Sequence, residues 1–289
     1  MKIHLAGGTT RSVLLHAAIK GANRLYSAMY ERQLILQYPN MVGKLTVPNP
    51  EASGTLIVDS GAYSWNKVAI YQRNNTAEAK LPPARKYAEG YLEMMYNNRH
   101  KPFVWVEFDV YMTLPEDYIN SMYKEWQKWP GKHKDAKFMR VYHPELDGGT
   151  IKKAKEWVAD GMDYIGIAAS DEQTARKLFQ FTRDKIKVHG FGITIDEIMK
   201  LYPFFSTDST SWISGGQYGS FVVFDQAKGK LGREYMVRHL VKDKDKFARA
   251  HLKSASSRSE ILMTSIDAYV EYEKYITKLW ETRGIVWQN

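Results

Sequence analysis

Six proton-handling residues, Asp59, Asp109, His143, His189, Asp208 and Asp225, each stand at or just beyond the end of a short apolar run. The runs include Leu56-Ile57-Val58, Phe103 to Phe108, Ile186 to Val188 and Phe221 to Phe224. Short runs rich in β-branched and aromatic residues predict buried strands. The carboxyl ends of such strands are where α/β folds collect their chemistry. Several carboxylates around one mouth can supply a nucleophile, a general acid/base and a recognition group. The same oxygens could equally hold a divalent metal ion. The same residue types also serve as turn and helix-capping groups, and Asp59-Ser60-Gly61 alone reads as an ordinary turn.

The elements that must position these groups follow in order along the chain. Strands are predicted at Ile3–Ala6, Leu56–Asp59, Phe103–Phe108, Ala136–Val141, Tyr164–Ala168, Ile186–Val188, Phe204–Thr207 and Phe221–Phe224. Helices are predicted from Thr10 or Ser12 to about Gln37, from Pro83 to Asn97, and from Pro115 to Trp129. Further helices run from Thr150 to Ala159, from Asp171 to Thr182, and from Thr194 to Tyr202. Asn66 to Leu81 reads as a long polar loop. Eight strands with helices between most of them predict an α/β fold, a (β/α)8 TIM-type barrel over residues 1–225. Residues 226–289 read as a basic helical appendage, docked through Ile261, Leu262, Ile266, Val270 and Ile276.

Composition narrows the classes. The 289 residues contain no cysteine, which excludes disulfides and thiolate metal sites and suits a reducing cytoplasm. No apolar run approaches a membrane span, so no membrane partner is expected. The opening Met1-Lys2-Ile3-His4-Leu5 lacks the layout of a signal peptide. A formal charge of +9, with nine Lys and Arg against three acids between Lys228 and Lys253, permits a polyanionic partner. An aromatic content of 13% would serve base stacking or an ordinary core.

Four short motifs occur in order. They are Asp59-Ser60-Gly61-Ala62-Tyr63-Ser64, Phe108-Asp109, Tyr164 to Ser170, and Val188-His189-Gly190-Phe191-Gly192 followed by Asp196-Glu197-Ile198 and Phe204 to Asp208. Together they resemble the tRNA-guanine transglycosylases over about residues 55 to 210. What the resemblance implies is exchange of guanine for a 7-deazaguanine base through a covalent sugar–enzyme intermediate. It implies Asp208 as nucleophile and Asp59 as acid/base. It implies that Asp109 reads the guanine edge, that Tyr63 and His189 stack on the base, and that Ser60, Gly166, Ala168 and Gly190 line the base site. No cofactor is implied.

The chain departs from that pattern in ways that redirect the expectation. Ala62 and Ser64 replace a glycine and a glutamine, and no arginine follows Asp208. The family's structural zinc needs three cysteines, which this chain lacks. That zinc subdomain helps engage tRNA and supplies a dimer surface. Its replacement by a basic tail points to the shorter phage relatives that act on DNA, and to a monomer. The expected partner is therefore DNA, with tRNA as the alternative polymer. The rivals from other classes are a non-catalytic nucleic-acid-binding barrel and a metal-dependent barrel hydrolase.

Overall fold

Runs such as Leu56-Ile57-Val58, apolar on both faces, form wall strands buried against the barrel interior and the helix layer alike. The computed structural model describes residues 1–8, 10–33, 35, 55–67, 83–111, 113–168, 172–182, 185–213, 220–235 and 258–287. The elements are β1 (Lys2–Ala6), α1 (Arg11–Ile19), β2 (Asn23–Ser27), β3 (Leu56–Asp59), α2 (Ala84–Asn97) and β4 (Phe103–Val106). They continue with α3 (Glu116–Lys128), β5 (Lys137–Tyr142), α4 (Lys152–Ala159), β6 (Tyr164–Ala168), α5 (Glu172–Thr182), β7 (Lys187–Phe191), α6 (Asp196–Leu201) and β8 (Ser206–Ser209). β1 to β8 close into a parallel barrel in sequence order, so the expected (β/α)8 fold is the fold observed. β9 (Ser220–Asp225) and β10 (Lys230–Tyr235) form a separate antiparallel hairpin, and α7 (Arg258–Thr282) ends the described helices.

Two strand assignments differ from expectation. Asn23–Ser27, expected inside one long helix, is β2. The last barrel strand is Ser206–Ser209, which pairs with β1 in the register Lys2↔Ser206 and His4↔Asp208. Phe221–Asp225, expected as the eighth barrel strand, pairs instead with β10. Asp225 therefore leaves the barrel wall; it is paired with Lys228 at 3.2 Å in the hairpin turn. The boundary expected at residue 225 falls inside this hairpin. The loop after Lys67, the cap at Asp171 and the basic stretch 236–257 lie outside the described residues.

The chain divides into two compact units. The first comprises Met1–Arg24, Pro39–Thr55 and Tyr142–Asn289. In it α7 buries Ile261, Leu262, Ile266, Tyr272, Ile276 and Trp280. It is fastened by Trp280 Nε1–H to the Met199 carbonyl (3.0 Å) and by the Tyr272 hydroxyl to Asp196 (2.5 Å). Glu273 of the same helix accepts the Ile3 N–H of β1 (2.6 Å) and the Asn23 amide of β2 (2.9 and 3.0 Å). Asn23 Oδ1 in turn accepts from both the N–H and the hydroxyl of Thr55 (2.9 Å each). No described helix is long and apolar enough to cross a membrane.

The second unit comprises Leu25–Tyr38 and Leu56–Val141. Trp105 and Phe108 are fully buried in it. Pro83 and Pro115 precede α2 and α3, where their fixed φ leads into the helix; Glu116 and Asp117 then complement the positive end of α3. α2 holds the ends of β3 and β4 by hydroxyls: Tyr87 donates to the Ser60 carbonyl (2.7 Å), and Tyr91 lies 2.8 Å from the Val106 carbonyl.

Candidate active site

Asp208 is the third residue of β8, and 11% of its side chain is exposed. Gly192, which follows β7, donates its N–H to Asp208 Oδ1 at 2.7 Å. Gly192 holds φ +66°, a left-handed conformation that glycine adopts without steric cost. The turn after β7 thus fixes one carboxylate oxygen. The other, Oδ2, has no hydrogen-bond partner among the described residues.

His189, in the middle of β7, places Nε2 3.3 Å from Asp208 Oδ1, off the line that a hydrogen bond requires. Its Nδ1 lies 2.6 Å from Ser206 Oγ, and the same oxygen lies 2.5 Å from the Tyr164 hydroxyl. Tyr164, His189 and Ser206 come from three adjacent strands, and β6–β8 registers put Gly166 beside His189 and His189 beside Ser206. The three side chains are fully or almost fully buried. The His4 and His189 ring centroids lie 5.9 Å apart, and those of His189 and Phe191 4.5 Å apart, each pair steeply inclined. Burial first, then the nearby His189 and Lys2, push the His4 imidazole well below the usual histidine range. His4 stays neutral there and shares a hydrogen bond with Thr55 (2.9 Å).

The stacking role expected of His189 is therefore corrected. The ring has no exposed surface, and His4 and Phe191 both pack against it at steep angles. Phe191, two residues on and half-buried, faces the same side of β7 by strand alternation. Gly190 faces the other way. A Cβ there would lie 2.8 Å from Ile193 and 2.9 Å from Phe204, so packing against those two side chains demands glycine. Gly166 and Ala168 lie on β6, opposite His189 and Phe191 respectively.

The second unit carries the other expected residues. Asp59 ends β3 and is half-buried; its backbone carbonyl accepts the Ala28 N–H at 2.8 Å. Burial, and next the Asp59 charge, push the Tyr87 and Tyr91 phenols above the usual tyrosine range. Ser60, expected to bind substrate, is fully buried, and its hydroxyl donates to the Glu107 carbonyl at 2.8 Å. Its side chain thus ties β3 to the segment after β4 and is spent on that contact. Gly61 turns the chain at φ +84°. Tyr63 then stands 70% exposed, with Lys67 Nζ 4.4 Å from its ring centroid. Asp109 follows β4 by three residues and is half-buried.

Glu107, inside the apolar run before Asp109, escaped the sequence reading. It is wholly buried and accepts from Arg140 Nε (2.7 Å), the Tyr111 hydroxyl (2.9 Å) and the Val141 N–H (3.3 Å). Arg140 also donates to Asn120 Oδ1 at 2.5 Å. Burial raises the Glu107 carboxyl, while Arg140 and Tyr111 oppose the rise. Ser206 and Tyr164 were missed as well. The signal available for them was strand alternation, which sets His189 and Ser206 facing the same way once their register is known. Among the described residues no three His, Asp or Glu side chains are grouped so as to share a metal ion. The chain matches no protein-family model and no curated protein.

Proposed function

We propose that the chain exchanges guanine for a 7-deazaguanine base in nucleic acid, preferring DNA. The observation that carries this reading is the Asp208 carboxylate. A buried group with one oxygen held by a backbone N–H and the other without a partner among the described residues has the form of an oriented nucleophile. Oδ2 attacks the anomeric carbon of the target nucleotide. The bond from that carbon to the base nitrogen breaks, and its electron pair leaves with guanine. Asp59 supplies the proton that neutralises the departing base. It then takes a proton from the incoming 7-deazaguanine, whose nitrogen displaces Oδ2. Two displacements at one carbon give net retention. Asp109 accepts hydrogen bonds from the base edge. Exposed Tyr63 offers a stacking surface, with the target nucleotide turned out of its helix. The formal charge of +9 supports a polyanionic partner, and the lack of cysteine supports DNA over tRNA.

The test is release of labelled guanine from DNA and from tRNA in the presence of a 7-deazaguanine. Asp208→Asn keeps the side-chain shape and removes the nucleophile. It should lower exchange by roughly 10³-fold or more and abolish the covalent sugar adduct. Undiminished exchange in this variant would overturn the role of Asp208. Release from tRNA alone would keep the chemistry and change the polymer.

A further inference from the structure

Hydrogen-bond bookkeeping in the first unit decides where the His189 proton sits. The Tyr164 hydroxyl is buried, and its one partner among the described residues is Ser206 Oγ, 2.5 Å away. A buried O–H without an acceptor costs about 1–3 kcal/mol, so Tyr164 donates to Ser206. Ser206 is buried too, and its other side-chain partner is His189 Nδ1 at 2.6 Å. A serine hydroxyl carries one hydrogen. If Nδ1 were protonated, two donors would converge on Oγ and the serine hydrogen would have no acceptor among the described residues. If Nδ1 is bare, Tyr164 donates to Ser206, Ser206 donates to Nδ1, and both hydroxyl hydrogens find an acceptor. The ring proton then resides on Nε2, which has no hydrogen-bond acceptor in line and lies 3.3 Å from Asp208 Oδ1.

We propose that Tyr164 and Ser206 are positioning residues that lock His189 in its Nε2–H tautomer, so that an N–H and not a lone pair lies beside Asp208 Oδ1. Oδ1 then has two N–H groups around it, the Gly192 amide at 2.7 Å and the His189 ring at 3.3 Å. Both favour negative charge on Oδ1 and leave Oδ2 as the oxygen that forms the new bond. When Oδ2 is bonded to sugar, Oδ1 is the carbonyl oxygen of the adduct, and the same two donors remain beside it. A bare Nε2 would instead set a lone pair against the carboxylate oxygen. The consequence for catalysis rests on the reading of Asp208 as nucleophile; the tautomer does not.

The experiment is nitrogen NMR of protein labelled at histidine, with the His189 signals assigned by their loss in His189→Gln. The ring-nitrogen shifts should report the Nε2–H tautomer in the wild type. Asp208→Asn should keep it, because the lock comes from Ser206. Asp208→Asn combined with Ser206→Ala should lose it to a mixture, and Ser206→Thr in place of Ala should restore it. An Nδ1–H tautomer in the wild type would overturn the proposal, as would its appearance in Asp208→Asn alone. Both of those readings need no Ser206 variant, so a Ser206→Ala chain that fails to fold leaves the test intact. In the exchange assay, Ser206→Ala alone should lower kcat about a hundredfold with KM little changed, and Ser206→Thr should recover most of it. If the wild type exchanges no guanine, the functional reading fails and the NMR result still decides the lock. If exchange proceeds and the NMR result is adverse, the lock fails and the reading stands.

Discussion

At the scale of single residues, the acids that looked alike in the sequence occupy different environments. Asp208 has one oxygen without a partner among the described residues, Asp225 is paired in a hairpin turn, and the Glu107 side chain is wholly buried. The Glu107–Arg140 pair makes a sharp prediction. Arg140→Met should destabilise the protein by about 3–5 kcal/mol in urea unfolding, because it leaves a buried carboxylate without its cation. Adding Glu107→Gln should recover part of that loss by removing the charge. A second prediction concerns the turn behind Asp59. A Cβ on Gly61 would lie 2.7 Å from Met29 Cβ, and the residue already holds φ +84°. Gly61→Ala should cost about 1–3 kcal/mol, read as a fall in unfolding midpoint. The places of Asp59 and Asp109 at or just beyond strand ends were legible because each follows an apolar run, whereas Asp208 lies inside the polar strand Ser206–Ser209. Glu107 was not legible, because a charge inside an apolar run reads as an interruption until its arginine partner is seen 33 residues away.

At the scale of elements, the sequence displays the strands whose walls are apolar and conceals those whose buried residues are polar. β2 begins Asn23-Arg24, and both side chains are buried. Asn23 is satisfied by Glu273 and Thr55, and Arg24 reaches the Gly7 carbonyl and the face of Trp212. Those partners lie far along the chain, so no local pattern marks the strand. β9 shows the converse. Ser220–Asp225 is apolar enough for a barrel wall, yet it buries that surface against α7 instead. Glu273 on α7 lends the docking of that helix a pH dependence. Burial raises its carboxyl to about 7, against hydrogen bonds from Ile3 and Asn23 and the charge of Lys2 that hold it down. The folded state therefore holds the proton more tightly than the unfolded chain does. Stability from this group is complete below about pH 4.5 and is lost as pH rises through about 7, a change of about 3 kcal/mol. Glu273→Gln should flatten the wild-type decline between those pH values when urea midpoints are compared across them.

At the scale of the molecule, charge and connectivity govern behaviour that no single site reveals. With +9 formal charges the protein should bind DNA in a salt-dependent way. The logarithm of the binding constant should fall linearly with the logarithm of salt concentration, by about 0.9 for each phosphate neutralised. Fluorescence anisotropy across a salt series measures it, and a flat line would remove the electrostatic argument for a polyanionic partner. The closed barrel was legible as a class from eight strands in order, although one of those strands was wrongly chosen and another overlooked. The count survived because the two errors offset each other. Connectivity has a further consequence in time. β1 gives its Ile3 N–H to Glu273, 270 residues later, and pairs with β8, some 200 residues on. At a synthesis rate of about 5–20 residues per second, the first strand waits roughly 15–55 s for the helix that seals it. During that interval the β1 edge that β8 later takes is open on a growing chain, and a nascent chain stalled before α7 would be a substrate for chaperones and proteases.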